Sequence, residues 1–262
     1  TLGRGGSDTT GVALAVALNA DECQIYTDVD GIFTTDPRVC SKARLLKEVS
    51  FEEMLELSSS GAKVLQLRSV EYASKFNLPI RVLSSFNEGD GTLVQEEKNI
   101  MERPIVSGIS SIDTEAKLTI RGVPDVPGIA AKILSPISEA GIEVDVIVQN
   151  ISADNCTDFT FTVDKGDAEN AKEILQKTSV SLGGGLVEVD HDIAKISVVG
   201  RGMRAHAGVA SKMFQALAKD EINISMITTS EIKISVVIKE SEMKKAVTAL
   251  HNAFDLDKEL DS

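Results

Sequence analysis

One stretch of this chain is written twice. Pro127-Gly-Ile-Ala-Ala-Lys-Ile-Leu134 recurs as Ala207-Gly-Val-Ala-Ser-Lys-Met-Phe214, and Ala140-Gly-Ile-Glu-Val-Asp-Val-Ile147 recurs as Asp220-Glu-Ile-Asn-Ile-Ser-Met-Ile227. From 127 to 207 and from 140 to 220 the spacing is the same, 80 residues. A fixed period of this kind means one supersecondary unit used twice. Apolar periodicity and turn residues predict strand, helix, strand, strand, helix in each copy. In the first copy these cover 116–123, 127–140, 143–152, 156–164 and 167–177, and a fourth strand follows at 186–190. That order is the split βαβ, ferredoxin-like pattern. The second copy reads 195–200, 206–220, 223–230, 233–239 and 241–254, and has no fourth strand. An unpaired strand at 105–112 precedes the first copy. The simplest account is that it completes the second sheet, with the first copy inserted between.

Ahead of the repeats the pattern differs. A helix is predicted over 10–20, a strand over 23–27, helices after a capping box at Ser50 to Glu53 and over 62–76, and a strand over 79–83. Alternating helices and strands up to about residue 94 point to an α/β layer with a mostly parallel sheet. Polar residues 95–99 read as a linker. The expected domains are therefore 1–95, 115–191, and 103–113 joined with 192–258. With 262 residues there is enough chain for more than one core.

A net charge of −13 argues against a nucleic-acid or anionic-membrane surface. The longest apolar run, 12–18, is too short to span a bilayer, and no signal peptide is read. The three cysteines are odd in number and widely spaced, which fits free thiols in a reducing cytoplasm. The three histidines lack metal-ligand spacing, so no structural metal is expected.

The opening, Thr1-Leu-Gly-Arg-Gly-Gly-Ser-Asp-Thr-Thr-Gly11, packs four glycines around an arginine, a serine and an aspartate. Glycines let backbone approach an anion, a following helix offers free N–H groups, Arg4 can grip a carboxylate or phosphate, and Asp8 can coordinate Mg²⁺. A plain loop-to-helix junction capped by Ser7 or Asp8 explains the same residues equally well. Thr27-Asp-Val-Asp-Gly31 follows a strand, where carboxylates and a hydroxyl suit a nucleotide crevice, although an Asx-rich turn is the commoner cause. Arg38 and Lys63 are single cations that either hold a phosphate or are merely solvated. In the repeats, Asp125, Gln149, Asn150 and Ser152 fall at the same end as a helix N-terminus, where an amino-acid carboxylate would sit well. Thr228 to Glu231 is the counterpart in the second copy.

Together these stretches resemble the aspartate kinase family. The resemblance rests on Gly3-Arg-Gly-Gly-Ser-Asp8, Thr27-Asp-Val-Asp-Gly-Ile-Phe-Thr-Thr-Asp-Pro-Arg38, Gly61-Ala-Lys-Val-Leu65, Leu67-Arg-Ser-Val-Glu-Tyr-Ala73 and the two repeats, which are similar to ACT domains. It implies part of a three-layer amino-acid-kinase domain followed by two ferredoxin-like ACT domains. It also implies that the family's Lys-Phe-Gly-Gly stretch lies ahead of Thr1, so this chain alone is expected to be inactive. The implied reaction moves the γ-phosphoryl of MgATP to the side-chain carboxylate of L-aspartate, the first step toward lysine, threonine and methionine.

By the same resemblance, Arg4, Ser7 and Asp8 are the catalytic and substrate set. Thr27, Asp28, Phe33, Arg38 and Lys63 are the ATP-binding set, with Phe33 in place of the usual tyrosine. Asp125, Gly128, Ala130, Gln149, Asn150 and Ser152, with Asn223, Ser230 and Glu231 of the second copy, are the effector set. Lysine and threonine are the implied feedback ligands, and a homodimer or higher homo-oligomer through the ACT domains is implied. His206-Ala-Gly208 departs from the family's His-Pro-Gly. The alternatives are a catalytically silent chain that senses amino acids, which the glycine-rich stretch argues against, and a kinase acting on another amino acid such as glutamate.

Overall fold

The computed structural model describes residues 5–62, 64–97, 105–151, 156–183, 185–201, 203 and 208–258. The chain divides into two compact units, one made of the segments up to Ile112 and from Lys195 onward, the other of Asp113–Ala194.

The first segment builds α1 (Gly6–Ala17), β1 (Cys23–Thr27), β2 (Glu48–Ser50), α2 (Phe51–Ser59), α3 (Leu67–Phe76), β3 (Ile80–Ser84) and β4 (Thr92–Gln95). The strands form one sheet in the order β1-β3-β4-β2. The β1–β3 and β2–β4 pairs are parallel, but β3 and β4 are antiparallel. Two of the three pairs are parallel, so the sheet is mostly parallel, as expected, with one antiparallel pair. Only residues 85–91 join β3 to β4, too few for the crossover that a parallel pair needs.

Helix α1 starts at Gly6, four residues before the expected start, because Gly5 turns the chain in the left-handed region (φ 73°). Gly5 is therefore the N-cap; Ser7 and Asp8 lie inside the first turn, and no side chain caps the helix. Helix α3 starts at Leu67, not at 62. Gly61 (φ 109°) and an extended Gln66 break the segment, and Leu65 is buried instead. Helix α2 carries its capping box: Glu53 N–H donates to Ser50 Oγ at 3.2 Å, and Ser50 N–H donates to Glu53 Oε2 at 3.1 Å. Caps of this kind contribute about 1 kcal/mol.

Strand β5 (Val106–Ile112) ends the segment. The second unit follows: β6 (Glu115–Pro124), α4 (Ile129–Glu139), β7 (Ile147–Ile151), β8 (Cys156–Asp164), α5 (Ala168–Ser181) and β9 (Val187–Asp190). Its sheet order is β7-β8-β6-β9, with every pair antiparallel. Leu118 and Ile120 of β6, Phe159 and Phe161 of β8, and Ile133 and Ile137 of α4 fill its core. Strand β7 starts later than expected, and α5 runs to Ser181.

The chain returns as β10 (Ile193–Gly200), α6 (Gly208–Lys219), β11 (Met226–Thr229), β12 (Lys233–Lys239) and α7 (Met243–Ala253). These strands join β5 in a sheet ordered β11-β12-β10-β5. Strand β5 pairs antiparallel with β10, from Lys195↔Ile112 to Val199↔Gly108. It fills the place that β9 holds in the other sheet, so both copies have the same strand order. The same unit ties β5 back to its first segment. Ser107 Oγ donates to the buried Glu53 Oε1 at 2.5 Å, Ile109 N–H donates to the Thr34 carbonyl at 2.7 Å, and Lys233 pairs with Glu56 at 2.7 Å.

One buried contact gives this unit a pH dependence. His251 of α7 and Thr34 are both fully buried, with Nε2 and Oγ1 2.9 Å apart. Burial holds the imidazole below the ordinary histidine range; Lys42 and Arg44 push it further down, and Asp257 pulls it back up. The unfolded chain therefore takes up a proton that the folded chain refuses. The stability contributed by neutral His251 is complete above the unfolded value of 6.5 and is lost as pH falls below it. The expected outcome is a drop in urea midpoint between pH 7.5 and 5.5 that is smaller in His251→Gln than in the parent chain.

Candidate functional site

Because β1 and β3 are parallel, their C-terminal ends lie side by side, where α/β sheets hold ligands. Thr27 ends β1, and its hydroxyl donates to Asp28 Oδ1 at 3.2 Å. Ser85 N–H, just beyond β3, donates to the Thr27 carbonyl at 2.7 Å. The Ser84 hydroxyl then accepts from Phe86 N–H and Asn87 N–H at 3.3 and 3.2 Å, which turns the chain back. Asn87 Nδ2 donates to Asp30 Oδ1 at 2.8 Å and fixes the second carboxylate. An open concavity of about 440 Å³ lies here, lined by Tyr26 and by Leu83 through Gly89. Tyr26 and Phe86 stand 61% and 80% exposed beside it. Two aromatic faces next to hydroxyls and carboxylates can take a planar base and a ribose.

Phe33 is half-buried and bridged to Leu45. Arg38 is exposed, and its Nε and Nη2 donate to the Asp36 carboxylate at 3.1 and 2.9 Å. That contact raises the guanidinium pKa, so the group stays cationic. Helix α1 packs on β1, where a Cβ on Gly11 would lie 3.7 Å from Ile25 Cδ1 and 3.9 Å from Cys23 Sγ, and its first turn carries Ser7 and Asp8. In that turn Ser7 Oγ donates to Asp8 Oδ1 at 3.2 Å. Burial, and then the Asp8 charge, push the Cys23 thiol up. Arg4 and Lys63 lie outside the described residues.

In the second unit, Gly128 (φ 89°) caps α4, and Ala130 lies in the first turn. Gln149 Nε2 donates to Asp125 Oδ1 at 3.5 Å, and Gln149 and Asn150 are exposed on the edge strand β7. Asp125, Gly128, Gln149 and Asn150 thus share one end of that unit. Ser152 lies outside the described residues. In the other unit, Ser230 and Glu231 form the turn after β11, where Ser230 N–H donates to the Lys233 carbonyl at 2.8 Å. Asn223 is at the opposite end of β11 from them. Of the His206-Ala-Gly208 stretch only Gly208 is described. No group of three His, Cys, Asp or Glu side chains among the described residues is placed to hold a metal ion. No described helix is long and apolar enough to cross a membrane.

These features meet known proteins at three places. The amino acid kinase family matches residues 1–84, and ACT domains match 118–179 and 196–254. The aspartokinase of Pseudomonas aeruginosa is 64% identical over 259 residues, which is 98% of this chain and 63% of that protein. The regulatory subunit of aspartate kinase from Thermus thermophilus is 40% identical, covers 57% of this chain and 99% of its own, and superposes with a TM-score of 0.55. The chain belongs to the aspartate kinase family. Aspartokinase III of E. coli, solved with aspartate and ADP, is 30% identical with a TM-score of 0.80, over 97% of this chain and 56% of its own. The same enzyme solved with lysine and aspartate superposes at 0.77. The chain spans about 63% of the length of the curated relatives it matches.

With the family known, the fold divides into a fragment of an amino acid kinase domain and two ACT domains. The loop at 84–89 is the part of the candidate site that sequence reasoning missed. Its signal was present: serines and an asparagine directly after a strand that parallels β1. Gly5 is the glycine whose geometry the site needs most. A Cβ there would meet Gln66 Cγ at 1.7 Å, and its φ of 73° suits glycine. Gly5→Ala is expected to lower stability by about 1–2 kcal/mol, the usual cost of a left-handed L-residue, and to weaken the first turn of α1. A thermal melt followed by circular dichroism checks this.

Proposed function

We propose that this chain is the nucleotide-side portion of the catalytic domain, and the regulatory region, of an enzyme that phosphorylates L-aspartate from MgATP to give 4-phospho-L-aspartate. The observation that carries the reading is the paired C-terminal ends of β1 and β3, with Thr27, Asp28 and Asp30 beside an open concavity. It is supported by the ADP and aspartate bound in aspartokinase III of E. coli. That the chain is only a portion is supported by β1, an edge strand, and by the apolar side chains of Leu14 in α1 and Leu18 just after it, which stand 58% and 77% exposed.

In this reading the base lies against Phe33 and the Tyr26 side of the concavity, and Thr27 and Asp28 hold the ribose and purine edges. Arg38 and Lys63 neutralise phosphate oxygens. Arg38 is cationic already and needs only to exchange Asp36 for phosphate. Arg4 holds an aspartate carboxylate, with Ser7 and Asp8 in the helix turn beside it. An oxygen of the substrate's side-chain carboxylate bonds to the γ-phosphorus, the β–γ bridging bond breaks, and ADP leaves. Mg²⁺ bound to the phosphates would spread the developing charge. We assign Asp8 to share it, by its place in the glycine-rich stretch, with the metal held mostly by substrate. Positioning and charge neutralisation carry most of such catalysis.

We assign the ACT domains to feedback sensing. Asp125, Gly128, Ala130, Gln149, Asn150 and Ser152, with Asn223, Ser230 and Glu231, take lysine or threonine, and homo-oligomers form through these domains. Lysine bound to aspartokinase III of E. coli supports the first ligand. A cytoplasmic setting accords with the unpaired Cys23, Cys40 and Cys156. A second reading, a catalytically silent sensing chain, has its support in the Thermus regulatory subunit, which this chain covers almost entirely.

The deciding experiment is an acyl-phosphate assay on the full-length gene product. ATP and aspartate should give hydroxylamine-trappable product, and Asp8→Ala should reduce it by at least about 10³-fold, as expected for a group at the reacting centre. No product from the parent enzyme leaves the sensing reading. In either case a melt of this chain should shift with lysine or threonine. Ligand at about 100 times its Kd adds roughly 2.7 kcal/mol.

A further inference from the structure

The segment Thr27–Arg38 is the proposed nucleotide loop, and at its middle Thr34 has every polar group bonded. Its N–H donates to the Arg44 carbonyl at 2.8 Å, and its hydroxyl accepts from Arg44 N–H at 3.0 Å. Those two bonds are local. The other two come from the second ACT domain: the Thr34 carbonyl accepts from Ile109 N–H of β5, and Oγ1 meets His251 Nε2 of α7. Lys42, in the stretch that follows the loop, also donates to Asn252 Oδ1 at 3.2 Å, so α7 is held at two successive residues. There is no slack behind Thr34. A Cβ on Gly108 would come within 3.0 Å of its carbonyl oxygen.

The choice of histidine at 251 is not explained by packing. Its Nδ1 is buried without a hydrogen-bond partner among the described residues. An imidazole that leaves one nitrogen unbonded is a worse core residue than leucine, because an orphaned buried polar atom costs roughly 1–3 kcal/mol. What the ring supplies that leucine would not is Nε2 at the Thr34 hydroxyl. That bond joins the last helix of the ACT domain to a point one residue from Phe33 and four from Arg38.

We propose that His251 is a positioning residue for the nucleotide loop and acts through Thr34. The second ACT domain then forms the back wall of the nucleotide site, and a shift of α7 changes the loop's fit to nucleotide before it changes anything at the aspartate end. The proposal rests on the functional reading above for the identity of the loop, and its test is chosen to separate the two.

The test uses the full-length gene product with His251→Leu, His251→Gln and Thr34→Val. ADP affinity is measured by calorimetry, and KM for ATP and for aspartate by the coupled assay. His251→Leu and Thr34→Val should each weaken ADP binding and raise the ATP KM by roughly tenfold, the scale of one lost buried hydrogen bond. The aspartate KM should stay within about twofold, and the melting temperature should not fall in step. His251→Gln, whose amide reaches the Nε2 position, should recover most of the loss. Thr34→Val also removes the bond from Arg44 N–H, so the double variant should be no worse than Thr34→Val alone. Unchanged ADP affinity in folded His251→Leu, an equal rise in both KM values, or a glutamine variant no better than leucine overturns the proposal. If the leucine variant does not fold, Thr34→Val with unchanged ADP affinity overturns it alone. Absence of aspartate phosphorylation by the parent enzyme overturns the functional reading, and ADP affinity still decides this one.

Discussion

Strand β5 donates the N–H of Ile109 outward to the Thr34 carbonyl while its other edge runs the ladder with β10. Edge strands are usually exposed and must be protected from pairing with other chains. Here the protecting segment is the kinase fragment's own loop, and the side chains reinforce the backbone contact. Glu53, buried at the start of α2, receives Ser107 on one oxygen and Ser50 on the other. A buried carboxylate is tolerable only when its lone pairs are filled, and in this place filling them needs both the capping box and β5. Removing β5 would therefore strand Glu53, open the edge of a sheet and release Thr34. The kinase fragment and the second ACT domain share one compact unit for this reason, and the sequence order that interposes the other ACT domain between β5 and β10 does not disturb it.

Legibility in the sequence followed the range of the interactions involved. Strand β1 over 23–27 and β8 over 156–164 carry their own periodicity and match in the structure. The capping box needs only four consecutive residues and was equally plain. The common strand order of the two sheets was readable because a repeat reports one fold twice. What local pattern did not show was set by tertiary contact. Residues 62–66 look helical, yet Leu65 is drawn into the core, and Gly61 breaks the segment at a φ of 109°, close enough to the Ser111 carbonyl that a Cβ would lie 2.5 Å from it. Strand β2 is three residues long and exists only as the partner of β4. In the candidate site, Thr27 and Asp28 could be marked by their position after a strand. Asn87, which holds Asp30 across 57 residues, and His251, which holds Thr34 across 217, could not.

The two ACT sheets also show how a repeat can keep its order and lose its symmetry. In one, β9 follows its own helix and pairs with β6. In the other, the equivalent position is filled by β5, which comes from before the whole inserted domain. Both ends of the inserted domain therefore attach where Ile112 pairs with Lys195, two Cα atoms roughly 5 Å apart in an antiparallel ladder. An insertion at such a point acts like an enlarged hairpin connection: it can be of any size provided its termini are adjacent. The first ACT domain meets that condition, since β6 begins at Glu115 and the strand paired with it, β9, ends at Asp190.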